Sequence, residues 1–352
     1  MDGCHGLLYA CRQSTGRLIV AFLGGSGMWD FNVGKALVLM ARTAPYIGLR
    51  ILVYFGAAVG FVIVTGAGAG IGYGIGSLLH APAGGAFWGG AIGFGLSAGL
   101  LYLAREYLLY LVKAGHIAVL VALMDGQALP AGKGQIAYGT AIVRSRFGEV
   151  SVLFAVDQLV KGVIRTMTGL LSGIAGMLPL PGLDALMRVV RAVLRIAVGF
   201  VDEVILARAI RTGADNPWAA VEEALVLYGQ NHKAMLRNAA WLSLMVYALS
   251  LIIFLLALAP AAALVYWMPG AWSAGSVVFA LLFAWAFKAA LLEPLALAMM
   301  MQSFFVVTDG QAPDPQWHAR LGEISDRFRQ LAERARDWVR KPATPGADQA
   351  PA

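Results

Sequence analysis

The sequence predicts an all-α, polytopic integral membrane protein: a helical bundle of about six spans in three hairpins, both termini cytoplasmic. Three observations carry this. The chain is 59% hydrophobic and only 13% charged, whereas soluble domains run at about a quarter charged residues. Two stretches, Ile51–Ala104 and Asn238–Phe287, contain no Asp, Glu, Lys or Arg. Each is long enough for two spans of about 20 residues and a turn. Finally, "HAPAGG" (His80–Gly85), "LPLPG" (Leu178–Gly182) and "WMPGAW" (Trp267–Trp272) are uncharged and lie between apolar helical runs. Proline lacks an amide donor and glycine tolerates left-handed backbone, so these read as tight turns between paired spans.

The connections between pairs are charged instead, at Arg105–Arg146 and Arg208–Arg237. The bias of Lys and Arg places them in the cytoplasm and the bare turns outside, which locates the chain in the inner membrane. The net charge of +7 belongs to these flanks, so no nucleic-acid partner is expected.

Element by element, residues 1–44 form a cytoplasmic or interfacial segment. "LIVAFLGG" (Leu18–Gly25) is short and is followed by Asp30, Lys35 and Arg42, unlike a cleavable signal peptide. Cys4 and Cys11 have neither the number nor the spacing of a disulfide framework or a zinc site. Residues 45–103 form a glycine-rich hairpin, with spans at 45–78 and 86–103. Gly66, Gly70 and Gly74 make one ladder of small residues and Gly68, Gly72 and Gly76 another. Gly85, Gly89 and Gly93 continue the pattern in the second span, with Gly95 and Gly99 beyond. Glycine at every fourth position lets helices touch backbone to backbone in lipid, within the hairpin or in an oligomer.

Residues 104–149 read as a wet amphipathic helix and loop, stopping at Asp125-Gly126. Residues 150–210 form a charged hairpin, spans 150–177 and 186–210, with interfacial helices as the competing description. Asp157, Lys161 and Arg165 share one helical face there, and the acid precedes the base in the favourable order. Asp202 and Glu203 lie near the end of the hairpin. Arg188, Arg191 and Arg195 form a basic ridge, either a topology anchor or a lipid-headgroup contact. Residues 211–240 hold a cytoplasmic helix opened by Asn216 and Pro217. Residues 241–301 form the third hairpin, ringed at its outer turn by the interfacial aromatics Tyr266, Trp267 and Trp272. Residues 302–340 carry a charged amphipathic helix with Leu321, Ile324, Phe328 and Leu331 on one face, and 341–352 are a disordered tail.

The last span holds the sharpest anomaly, "AWAFKAALLEP" (Ala284–Pro294). Lys288 and Glu293 lie about 140° apart on an α-helix, so each needs its own counter-charge. Asp157, Asp202 or Glu203 are candidates for Lys288, and Arg165, Arg195 or Arg208 for Glu293. Pro294 cannot donate to the carbonyl of Ala290 and is expected to kink the helix. These seven residues (Lys288, Glu293, Asp157, Lys161, Arg165, Asp202, Glu203) form the candidate intramembrane polar site.

"RFGEVSVLFAVDQLVKGVIR" and "FVDEVILARAI…NPWAAVEEALVLYGQNHKAMLRNAA", within Val143–Ala240, together with the tail "MQSFFVVTDGQAPDP", resemble the later half of choline-transporter-like membrane proteins. The resemblance implies solute transport and true spans in the middle pair; the family's extracellular domain and earlier spans have no counterpart. No HExxH, GxSxG, P-loop or cysteine pair occurs, and the five histidines are scattered, so no enzyme, metal or cofactor is expected. The reading is a transporter or channel for a small cationic or amphiphilic solute. The alternative is a membrane scaffold or assembly factor packing with partners through its glycine ladders. Expected partners are membrane lipids, a second copy or another membrane protein.

Overall fold

The computed structural model describes residues 28–104, 110–129, 134–147, 150–176, 199–267 and 275–340. Every described element is helical, and no strand occurs among the described residues. The order is α1 (Val33–Arg42), α2 (Ala44–Leu78), α3 (Pro82–Ala104), α4 (Tyr110–Met124), α5 (Gln135–Phe147), α6 (Val150–Gly176), α7 (Val201–Thr212), α8 (Pro217–Gln230), α9 (His232–Trp267) and α10 (Gly275–Phe287). A π-helical turn (Lys288–Leu292) then leads into α11 (Glu293–Val307), followed by α12 (Pro315–Ile324) and α13 (Asp326–Arg340). The chain divides into two compact units. One comprises the described parts of Asn32–Gly139 and Leu242–Met299, the other those of Gly25–Phe31, Thr140–Trp241 and Met300–Ala352.

Three helical segments are long and apolar enough to cross a membrane: Ala44–Leu78, His232–Leu256 and Leu281–Val307, with mean hydropathies of 2.2, 2.3 and 1.7. In α2 only 17% of the most apolar window is buried, against 72% in Leu281–Val307. An apolar helix left so bare must face lipid, so this is a helical membrane protein.

The α2–α3 hairpin shows how glycine is used. A Cβ on Gly72 would fall on the carbonyl oxygen of Gly85, and one on Gly89 would fall on that of Gly68. Gly76 and Gly93 are nearly as tight, with the carbonyl oxygens of Ala81 at 2.6 Å and Val64 at 2.7 Å from their notional Cβ atoms. Gly66, Gly70, Gly74, Gly95 and Gly99 meet nothing within 4 Å. One ladder therefore closes the hairpin and the other stays open. The turn is tied by Ala81 N–H donating to Gly76 C=O at 2.8 Å, with His80 in left-handed backbone at φ 58°. Ser77 and Ser97 donate their hydroxyls to the carbonyls of Gly74 and Gly93, each at 2.7 Å, so they need no water. Ile63, Ile71, Ile75, Trp88, Ile92 and Leu96 stand exposed along the hairpin.

Helix α4 departs from the sequence reading. The expected wet, amphipathic helix is a core helix, with every residue from Ala114 to Leu123 except Gly115 and His116 a buried apolar side chain. Lys113 and His116 are its only polar members within Val112–Met124. A helix without a polar face has no reason to stay in water. It ends at Asp125-Gly126 as expected, Gly126 taking φ 73°.

In the second unit α8 packs against α7, α12 and α13, and α6 packs against α13. Helix α8 starts where Asn216 and Pro217 predict, Asn216 accepting from the amides of Trp218 and Ala219. The same side chain donates to Ala335 C=O at 2.7 Å, fastening α8 to α13. The tail helix expected as one piece breaks at Ser325, whose extended backbone ends α12 and whose hydroxyl accepts from Phe328 N–H at 3.3 Å. Leu321, Phe328 and Leu331 are buried, while Ile324, next to the break, is 40% exposed. The turns at 178–182 and 268–272, the ridge Arg188, Arg191 and Arg195, and both cysteines lie outside the described residues.

The two ladders make opposite predictions. Gly72→Val should lower the thermal stability of the detergent-solubilised protein by about 1–3 kcal/mol, the cost of overpacking. Gly70→Val should leave it unchanged. Equal melting shifts for the two, followed by circular dichroism, would refute this use of the seam.

Candidate functional site

The anomaly in the last span has a backbone origin. Proline 294 offers no N–H to Ala290, and its ring would clash with that carbonyl in a continuous α-helix. The chain answers with the π turn Lys288–Leu292, in which Glu293 N–H donates to Lys288 C=O, five residues back. Lys288 and Glu293 are therefore one hydrogen-bonded turn apart, not on divergent faces as an α-helix would set them. The widened turn presents Ala289 and Ala290, both fully buried, which cluster with Ala286 and with Tyr54 and Ala58 of α2.

Tyr54 and Ala58 belong to a stripe on α2 spaced by four residues, Tyr46–Arg50–Tyr54–Ala58, all buried. Pro45 fixes the start of α2, so Arg50 lies inside the helix rather than at its edge. Arg50 is 2% exposed, and its Nε and Nη2 are buried without a hydrogen-bond partner. Below it, Tyr46 stacks flat on His116 of α4, centroids 5.1 Å apart and planes at 2°. Its hydroxyl donates to Ile136 C=O at 3.2 Å. Gly115 makes room for that hydroxyl, since a Cβ there would lie 2.6 Å from it.

The His116 tautomer follows from Thr43. The Thr43 hydroxyl has one proton and gives it to Leu39 C=O at 2.9 Å. With that proton so assigned, the oxygen is left to accept from His116 Nε2–H, 3.0 Å away. That leaves Nδ1 as a bare acceptor, buried with no partner. Burial, and then the charge of Arg50, hold the basicity of His116 well below the usual histidine range, so the ring is neutral.

Glu293 finds its counter-charge on α4: Lys113 Nζ is 4.0 Å from its carboxylate, both side chains about a quarter exposed. Of the partners suggested by the sequence, Arg165 and Arg208 belong to the second unit, and Arg195 lies outside the described residues. Lys288 is half-buried, and no hydrogen bond or ion pair reaches it among the described residues. The other predicted residues gather in the second unit. Asp157, 2% exposed at its side chain, is 2.7 Å from Lys161, which is also 3.9 Å from Asp202. Glu203 is buried in the first turn of α7, and Arg165 is exposed. Gly162, next in sequence to Lys161, abuts Arg327 of α13, whose Cγ would be 2.7 Å from a Cβ there. The seven candidates thus form two separate sets. The Arg237-Asn238 step closes a third link: both side chains donate to Asp30, at 2.6 and 2.7 Å.

Sequence reasoning missed Arg50, Lys113 and His116. The first was legible: "PYIGLRILVYFG" places an arginine five residues past a helix-starting proline, on a stripe with tyrosines four residues to either side.

Two variants test these assignments. Pro294→Ala should restore the bond to Ala290 and raise thermal stability, by about 0.5–1.5 kcal/mol for one net hydrogen bond. A lower melting temperature would mean that packing, not proline, holds the π turn. Lys161→Met leaves the buried Asp157 carboxylate short of a donor and should cost about 1–3 kcal/mol, measured by chemical denaturation; the conservative Lys161→Arg should recover most of it.

Compared with known protein families, with curated proteins and with solved structures, the chain matches none.

Proposed function

We propose that this is a multi-pass inner-membrane protein that carries a small solute across the bilayer through its first unit. The hairpins α2–α3 and α9–α11 are its spans, and an even number of crossings keeps both termini cytoplasmic. Helix α6, whose middle packs against the charged α13, is read as interfacial. The observation that carries the reading is the polar seam at the π turn. Arg50, Lys113, His116, Lys288 and Glu293 lie in helices that are otherwise apolar, three of them members of candidate spans. Ionisable groups at such positions are expensive and mark solute or ion paths. A π turn beside them supports the same reading, because such bulges concentrate at functional sites. The resemblance noted in the sequence leans the same way.

A scaffold or assembly role has one specific observation behind it, the open face of Gly66, Gly70 and Gly74. A stoichiometric membrane partner recovered in mild detergent, and lost on Gly70→Val, would favour it; a clean homomer would argue against it.

Transport is tested by flux of phosphate, small carboxylates, amines and inorganic cations into proteoliposomes holding the purified full chain. Flux above empty vesicles is expected for one class, falling at least tenfold in Lys288→Met while that variant still inserts and purifies. No flux for any class would end the transport reading. Loss of folding in Lys288→Met would make the lysine a structural lock.

A further inference from the structure

We propose that Arg50 anchors a binding site for a small oxyanion, taking two oxygens of a carboxylate or phosphate group on its Nε–Nη2 edge. The proposal deepens the transport reading and rests on it for the purpose of the site, though not for binding itself.

Three observations converge. The first is the pattern of unmet donors. Nε and Nη2 together form one edge of the guanidinium, the geometry that accepts a carboxylate or phosphate through two parallel hydrogen bonds. Both are buried and without partners, in a side chain only 2% exposed. An arginine cannot shed its proton to escape that cost, as a lysine can. The second is the neighbour. The Nδ1 of the neutral His116 is buried with no hydrogen-bond partner, and the ring is close enough for the charge of Arg50 to act on it. An anion that keeps one acidic hydrogen, such as hydrogen phosphate, could meet both groups. The third is charge balance. Along α2, α3, α4, residues 242–267 and residues 275–299, the charged residues are Arg50, Lys113, Lys288 and Glu293. Lys113 faces Glu293, so along these described helices cations exceed anions by two. Such an excess attracts an anion and repels the cationic solute that the sequence alone suggested.

The anion has two sources, a free ion from water or the phosphodiester of a lipid headgroup. Delipidated full-length protein is titrated, at constant ionic strength set with chloride, against inorganic phosphate, succinate and short-chain phosphatidylglycerol, with short-chain diacylglycerol as the uncharged control. Binding is read by melting temperature and by calorimetry. The expected result is saturable binding of at least one anionic probe and none of diacylglycerol. Arg50→Lys keeps the charge but loses the two-pronged edge, and should weaken binding at least tenfold. Arg50→Met should abolish binding yet melt no lower than the ligand-free protein, since it removes an uncompensated charge. Should Arg50→Met fail to fold, the lysine variant decides.

Response to phosphate or succinate identifies a free anion, and response to phosphatidylglycerol alone identifies a headgroup; both uphold the site. No saturable response to any anionic probe, or undiminished affinity in Arg50→Lys, overturns it. Binding without flux in proteoliposomes retains the anion site and removes transport. Flux and affinity that both survive Arg50→Lys undiminished remove the anion site and retain transport.

Discussion

The constraint on which the first unit depends is the satisfaction of backbone groups where no water reaches. In lipid every peptide N–H and C=O must find a partner inside the protein. Pro294 breaks that closure by withholding one donor, and the π turn at Lys288–Leu292 is the local repair. The repair has consequences beyond itself. It brings Lys288 and Glu293 one turn apart, and it sets Ala286, Ala289 and Ala290 as a flat wall for Tyr54 and Ala58 of α2. That wall fixes which face of α2 looks inward, and Arg50 lies on that face, one turn from Tyr54.

Helix α2 then does two different things along its length. Beyond Val64 it has no side chains to offer at Gly68, Gly72 and Gly76, and it meets α3 backbone to backbone. Such contact gains dispersion energy and weak Cα–H···O contacts with little side-chain entropy lost, which is how helices associate in lipid. Before Tyr54 the same helix carries large polar side chains into the unit and holds them with stacking and hydrogen bonds to α4 and α5. The glycine seam makes the hairpin self-sufficient, so the other half of α2 is free to build an irregular, polar contact.

How much of this could be read in the sequence depended on the range of the interaction. Local chemistry was legible: the Asn216-Pro217 start of α8, the Asp125-Gly126 stop of α4, the glycine spacing, and Pro294 as a site of trouble. Partner choice was not. The counter-charge of Glu293 is Lys113, 180 residues earlier in the chain and on a helix read from sequence as wet. Helices that are apolar all round carry no amphipathic signal, so nothing in their periodicity says which face is buried. For the same reason two glycine ladders looked equivalent although only one is in contact. Arg50 was overlooked for a simpler reason: measured by runs of uncharged sequence, an arginine marks the edge of a span, whereas Pro45 had already begun the helix before it.

The choice of arginine at 50 and lysine at 288 has a physical logic. Lys288 is a compact ammonium on a flexible stem and is only half-buried. Arg50, fully buried, cannot shed its proton and must meet its charge with a partner or bear the full desolvation cost. Nor does its neighbour offer relief, since His116 is held neutral with its one proton committed to Thr43. Arg50 sits one turn from both Tyr46 and Tyr54 on the buried stripe of α2, with Nε and Nη2 unmet. A negative group carrying two oxygens suits both nitrogens of that edge at once, through two parallel charge-assisted hydrogen bonds.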